Sequence, residues 1–116
     1  MEQHRQIVLF KKYFKEFYDS MDRKLKNKVD EVLFMIRIAE RIPSKFFQHM
    51  TGTDGLFEIR IEYRSNIYRI FCCFDEGNLV VLFNGFQKKS QKTPKKEIER
   101  ALRIKEEYFD LKNKSK

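Results

Sequence analysis

A change of hydrophobic period near residue 55 constrains the fold of this chain more than any other feature of it. Before that point apolar side chains recur every three or four residues, first Phe10, Tyr13, Phe14, Phe17, Tyr18 and Met21, then Leu25, Val29, Val32, Leu33 and Ile36. Such spacing lays each set along one stripe of an α-helix, with Lys11, Lys12 and Lys15 outside the first. After it, Phe57, Ile59, Ile61 and Tyr63 alternate with Glu58, Arg60, Glu62 and Arg64. A period of two belongs to a strand with one face buried and the other polar. No single element satisfies both periods, so helices must pack on a sheet.

Ser20 or Asp22 offers an N-cap for the second helix, which the pattern carries toward Pro43, making a helical hairpin. Ahead of it, Ile7 to Phe10 is either an edge strand or the lead-in to the first helix. Residues 43–55 read as irregular and end in the turn cluster Thr51 to Gly55. Past the alternating strand, Ser65 and Asn66 turn the chain into Ile67 to Phe74, apolar on both faces except for Arg69, the pattern of a central strand. Asp75 to Asn78 form the next turn and Leu79 to Phe86 the third strand of an antiparallel meander. Thr93 as cap and Pro94 as first helical residue start a closing helix. Its Ile98, Ala101, Leu102, Lys105 and Phe109 fall near one face, and its end is expected to fray toward Lys112 to Lys116. The expectation is one α+β domain over residues 1–116, a helical hairpin packed on a curved antiparallel sheet with a closing C-terminal helix and a lysine-rich tail from about residue 111.

The chain carries 25 Lys and Arg against 17 Asp and Glu, a net charge of +8. Residues 1–46 hold 11 basic and 7 acidic groups, residues 47–86 hold 3 and 5, and residues 87–116 hold 11 and 5. Such a balance favours a polyanion such as nucleic acid, or an acidic protein partner, without choosing between them. No apolar run has the length of a signal peptide or a membrane helix, so a cytoplasmic protein without membrane contact is expected. Cys72 and Cys73, adjacent in a strand, point to opposite faces and are not expected to pair.

Arg60, Arg64 and Arg69 lie on or beside the first two meander strands, and Lys88, Lys89 and Lys92 follow the third. Hairpin pairing can gather them on one concave side, although a solvated rim of charges gives the same pattern. Arg69 is the most telling, because a charge in an apolar strand costs free energy unless it is paired or faces a wet groove. A salt bridge to Glu58 or Glu62 and a place in a binding groove both answer that requirement. RNA can be cut without a metal when its 2′-hydroxyl attacks the adjacent phosphate, given proton transfer and positive charge for the transition state. Arginine supplies the charge, and a lysine crowded by cations can serve as base. Phe86 and Tyr63 could stack on nucleobases, with core packing as the competing role, which Phe86 fits better. Of the two histidines, His4 and His49, neither is favoured for substrate contact. No metal-ligand spacing, phosphate loop or nucleophile elbow occurs, so no cofactor is expected.

The stretch Gly55-Leu56-Phe57-Glu58-Ile59-Arg60, followed by Asn66-Ile67-Tyr68-Arg69-Ile70-Phe71, resembles the sheet signature of RelE/HigB toxins. Leu82-Phe83-Asn84-Gly85-Phe86-Gln87-Lys88-Lys89 and Gln91-Lys92-Thr93-Pro94 extend the likeness to the phage-derived HigB-like branch, in order over residues 55–104. The resemblance implies a RelE-like fold, cleavage of messenger RNA at the ribosomal A site, and neutralisation by a helix-turn-helix antitoxin in a hetero-oligomer. It carries phosphate-binding and catalytic roles to Arg60 and Arg69, matches Lys88, Lys89 and Lys92 to the lysines after the last strand, and makes Arg64 a phosphate contact. It does not assign the general base, because this chain continues into the helix from Pro94 where several relatives end in a strand bearing Tyr or His. A lysine is the first candidate. Two other readings compete: a ParE-like inhibitor of DNA gyrase on the same fold, and a basic module that binds RNA or antitoxin without catalysis.

Overall fold

The computed structural model describes residues 2–89 and 92–115. In chain order they form β1 (Gln6–Leu9), α1 (Tyr13–Asp19), α2 (Arg23–Ile38), β2 (Phe47–His49), β3 (Phe57–Tyr63), β4 (Asn66–Asp75), β5 (Leu79–Lys88) and α3 (Lys95–Lys114). The strands make one sheet in the order β1-β5-β4-β3-β2, so β4 is its centre, as its two apolar faces require. The meander is antiparallel, but β1 joins β5 in parallel, so the sheet is mixed rather than purely antiparallel. Ile7 to Phe10 thus resolves to an edge strand. The segment expected to be irregular contributes β2, which covers only the first residues of β3.

Both faces of the sheet are buried. The stripes of α1 and α2, with Phe14, Val29 and Ile36, pack on Ile59, Ile61, Ile70, Cys72, Val80 and Leu82. On the opposite face Ala101 and Ile104 of α3 close over Leu56, Phe71, Cys73, Val81 and Phe83. The polar face expected on β3 is present but uneven: Glu62 is exposed and Arg60 half-buried, while Glu58 is only 5% exposed. The two cysteines do separate across the sheet, buried and unpaired. Lys11, at φ 54°, breaks the chain between β1 and α1. Phe10 therefore leaves the stripe it seemed to share with α1 and meets Tyr108 edge-on at 5.2 Å on the α3 side.

Local chemistry sets the ends of the helices. Leu25 N donates to the Asp22 side chain at 2.8 Å, so Asp22 caps α2. The helix stops at Ile38, short of Pro43, where Arg5 donates to the carbonyls of Ile36, Ala39 and Glu40 at 3.0, 2.6 and 3.0 Å. These are acceptors that a helix end leaves without partners. The far end of α3 does not fray as expected. Lys112 donates to Asp75 at 2.7 Å and to Glu76 at 3.0 Å, and Tyr108 donates to Asp75 at 2.6 Å. Hydrogen bonds to these two carboxylates push the Lys112 ammonium up to about 12, tying α3 to the β4–β5 turn.

Gly85 is placed where any side chain would strike Phe17 of α1, since an added Cβ falls inside contact distance of the ring. Gly85→Ala should therefore cost about 1–3 kcal/mol through overpacking. A urea midpoint equal to that of the unaltered protein would show that Phe17 moves aside without cost.

Candidate functional site

Arg60 and Arg69 stand directly opposite each other across β3 and β4. Like charges in that position repel. The compensation is Glu58, two residues back along the same face of β3, whose carboxylate lies 2.6 Å from Arg69 Nη1 with the two side chains 5% and 10% exposed. Thr93 Oγ1 donates to the other Glu58 oxygen at 3.1 Å. Thr93 is thus not the cap of α3, which starts from Pro94 without a side-chain cap. Its hydroxyl instead ties the lead-in of the helix to the ion pair. Burial lowers the pKa of Arg69, opposed by Glu58 and reinforced by Arg60.

A plain strand would have put Lys88 on the wrong side of the sheet. Val80 and Leu82 of β5 face the helical hairpin, and Phe86 and Lys88 share their parity. Ile70 pairs with Gly85 but Cys72 pairs with Leu82, so β5 carries one extra residue between them. That bulge reverses which side of the sheet later residues face. Phe86 comes to lie opposite Arg69, and Lys88 opposite Ile67 two residues away on the same face. Asn84 sits in the bulge, 1% exposed, with neither amide atom hydrogen-bonded among the described residues.

The result is an open groove of about 720 Å³, walled by Arg60, Arg69, Lys88 and Lys89 and lined also by Ser65 of the β3–β4 turn and Asn66 at the start of β4. Lys88 is pulled below the ordinary lysine pKa, chiefly by burial and then by Arg69 and Arg60, with Glu58 opposing. Arg60 is held more loosely, its Nη2 3.5 Å from Glu62. The structure gathers four of the singled-out cations here and leaves the others out. Arg64, at φ 49° in the β3–β4 turn, lies over the Tyr63 ring at 5.3 Å, and Tyr63 packs into the core on the helical-hairpin side. Phe86 is half-buried and stacked on Phe71 at 5.6 Å, at the seam between groove and core. Lys92 is exposed and is not part of the groove wall, and Gln91 lies outside the described residues. His49 is on β2, edge-on to Phe57 at 5.3 Å, away from the groove. Among the described residues no three His, Cys, Asp or Glu side chains are placed to hold a metal ion, and no helix is long and apolar enough to cross a membrane.

A family model described as Phage derived protein Gp49-like (DUF891) matches residues 16–106, which include the whole groove. The protein belongs to that family, a RelE-like toxin family of toxin–antitoxin systems. Membership implies an antitoxin as partner. No curated protein matches the chain.

The ion pair changes what mutagenesis of the site reports. Arg69→Ala would leave the buried Glu58 carboxylate without its cation. The complementary change, Glu58→Ala, should cost about 3 kcal/mol or more, because it strands a guanidinium out of water beside Arg60. Arg60→Ala should cost less than about 1 kcal/mol, since only a loose, partly exposed pair is lost. Urea titration of the two variants checks the order; equal midpoints would mean that the Glu58 pair does not hold the site together.

Proposed function

We propose that this protein is a ribosome-dependent endoribonuclease of the phage-derived HigB-like branch, the toxin of a type II toxin–antitoxin pair, cutting messenger RNA at the A site without a metal ion. The observation that carries the reading is the meeting of Arg60, Arg69, Lys88 and Lys89 in one groove, with the ammonium form of Lys88 destabilised. Arg69, its fork fixed by Glu58, and Arg60 hold the non-bridging oxygens of the scissile phosphate and stabilise the charge that grows there. Lys88 takes the proton of the 2′-hydroxyl. The 2′ oxygen bonds to phosphorus, the bond from phosphorus to the 5′ oxygen breaks, and Lys89 supplies the proton to the departing oxygen. The products are a 2′,3′-cyclic phosphate and a free 5′-hydroxyl. The partners are ribosome-bound message and a helix-turn-helix antitoxin, in the cytoplasm, with toxin and antitoxin forming a hetero-oligomer.

Purified ribosomes carrying a defined message provide the test. A cut at the A site is expected, and Lys88→Ala should slow the single-turnover step by about 10²–10⁴-fold, the usual worth of a positioned base. The base must be neutral to act, so the rate should rise with pH and level off above the lowered pKa of Lys88, below the ordinary lysine value. Lys88→Arg should remove that rising limb. An intact message at toxin excess would sink the proposal, and inhibition of DNA supercoiling by the same preparation would move it to the gyrase-inhibitor class.

A further inference from the structure

Arg60 is shared by two concavities. One is the groove; the other is a smaller crevice of about 180 Å³ bounded by Lys28, Lys45, Phe46, Arg60 and Glu62. The topology accounts for it. β2 pairs with β3 only from Phe57 to Ile59, so the β3 edge beyond that point has no strand beside it. Lys28 of α2 and the segment preceding β2 come round this bare edge, and the Arg60 backbone N donates to the Phe46 carbonyl at 2.9 Å, fixing the segment in place.

Three cations meet one carboxylate in this crevice. Neither Lys28 nor Lys45 is in an ion pair with any described residue, and Lys45 Nζ instead lies 4.9 Å from the centre of the Phe46 ring. Arg60 has donor capacity to spare. Its closest acidic contact is the 3.5 Å approach to Glu62, while Arg69 next to it is bound to Glu58 at 2.6 Å. One carboxylate does not balance three cations, and holding excess like charge together is unfavourable, so the cluster fits an anion from outside the chain. An RNA strand whose scissile phosphate lies in the groove carries its next negative charge one nucleotide along, and a strand leaving the groove past Arg60 enters this crevice.

We propose that the crevice is a phosphate subsite for the nucleotide adjacent to the cut, with Lys28, Lys45 and Arg60 as its donors. The inference rests on the groove being the RNA site. It gives Arg60 a bridging role, with one guanidinium spanning two successive phosphates, and makes Lys28 and Lys45 determinants of how the message is aligned.

The probes are a 2′-O-methyl dinucleotide, which has one phosphate and resists cleavage, and two trinucleotides extending it at the 5′ or the 3′ end. Binding is followed by fluorescence anisotropy over a range of salt concentrations. For the unaltered protein, one trinucleotide should show a plot of log K against log salt steeper than that of the dinucleotide by about 0.7, the contribution of one extra phosphate on a single strand. The Lys28→Ala/Lys45→Ala protein, left with Arg60 alone at the crevice, should show less than half of that steepening. Steepening undiminished by the double substitution would overturn the subsite. So would equal slopes for all three probes when dinucleotide binding is weakened by Lys88→Ala, and in that case the groove reading would stand. A dinucleotide that does not bind, or binds without regard to Lys88→Ala, would remove the groove reading and the subsite together.

Discussion

The buried pair between Glu58 and Arg69 is the interaction on which the site depends. Two guanidinium groups directly opposite on neighbouring strands would push those strands apart, and the carboxylate on the same face cancels that repulsion from 2.6 Å. A buried pair of this kind is not a large source of net stability, because desolvation consumes much of the attraction. Its value is geometric. It orients the Arg69 guanidinium and, through Thr93, ties the lead-in of α3 to the site.

A second constraint acts on β5. Strand periodicity alone would have pointed Lys88 to the helical-hairpin side of the sheet. The extra residue between Leu82 and Gly85 turns the strand so that its first half feeds the core and its last residues feed the groove. The cost is visible in Asn84, whose amide is buried without a hydrogen bond among the described residues. Gly85, next to it, admits Phe17 against the backbone and lets α1 close over the same irregularity. One local deformation thus serves packing on one face and chemistry on the other.

Much of this was legible in the amino-acid order. The period change located the helical hairpin and the meander, Arg69 within the apolar run Ile67 to Phe74 falls on the groove wall, and of the two cap candidates for α2 it is Asp22 that caps. What escaped had physical causes. Glu58 looks like the outward residue of an amphipathic strand, and nothing local says that Arg69 and Thr93 close on its carboxylate. Thr93 followed by Pro94 has the form of a helix cap, yet the hydroxyl has a charged acceptor nearby and takes that instead. The bulge leaves no signature beyond Asn84 and Gly85 in an apolar run. Lys28 and Lys45, which precede the meander in sequence, line a crevice with Arg60 beside the part of the β3 edge that the short β2 leaves unpaired, a feature with no local signal. Tyr63 alternates with Arg64 and so faces the opposite side of the sheet from Arg60, which the period of two could have indicated.

The central claim is that Lys88 shares a cation-rich groove with Arg60 and Arg69, and its own titration reports this directly. With lysine side chains labelled with ¹³C at the ε position and the Lys88 signal assigned through Lys88→Arg, its midpoint should lie below the ordinary lysine value of about 10.4. Removing a neighbouring cation by Arg60→Ala should raise it, because Arg60 contributes to the depression. A midpoint at or above the ordinary value, indifferent to Arg60→Ala, would contradict the account.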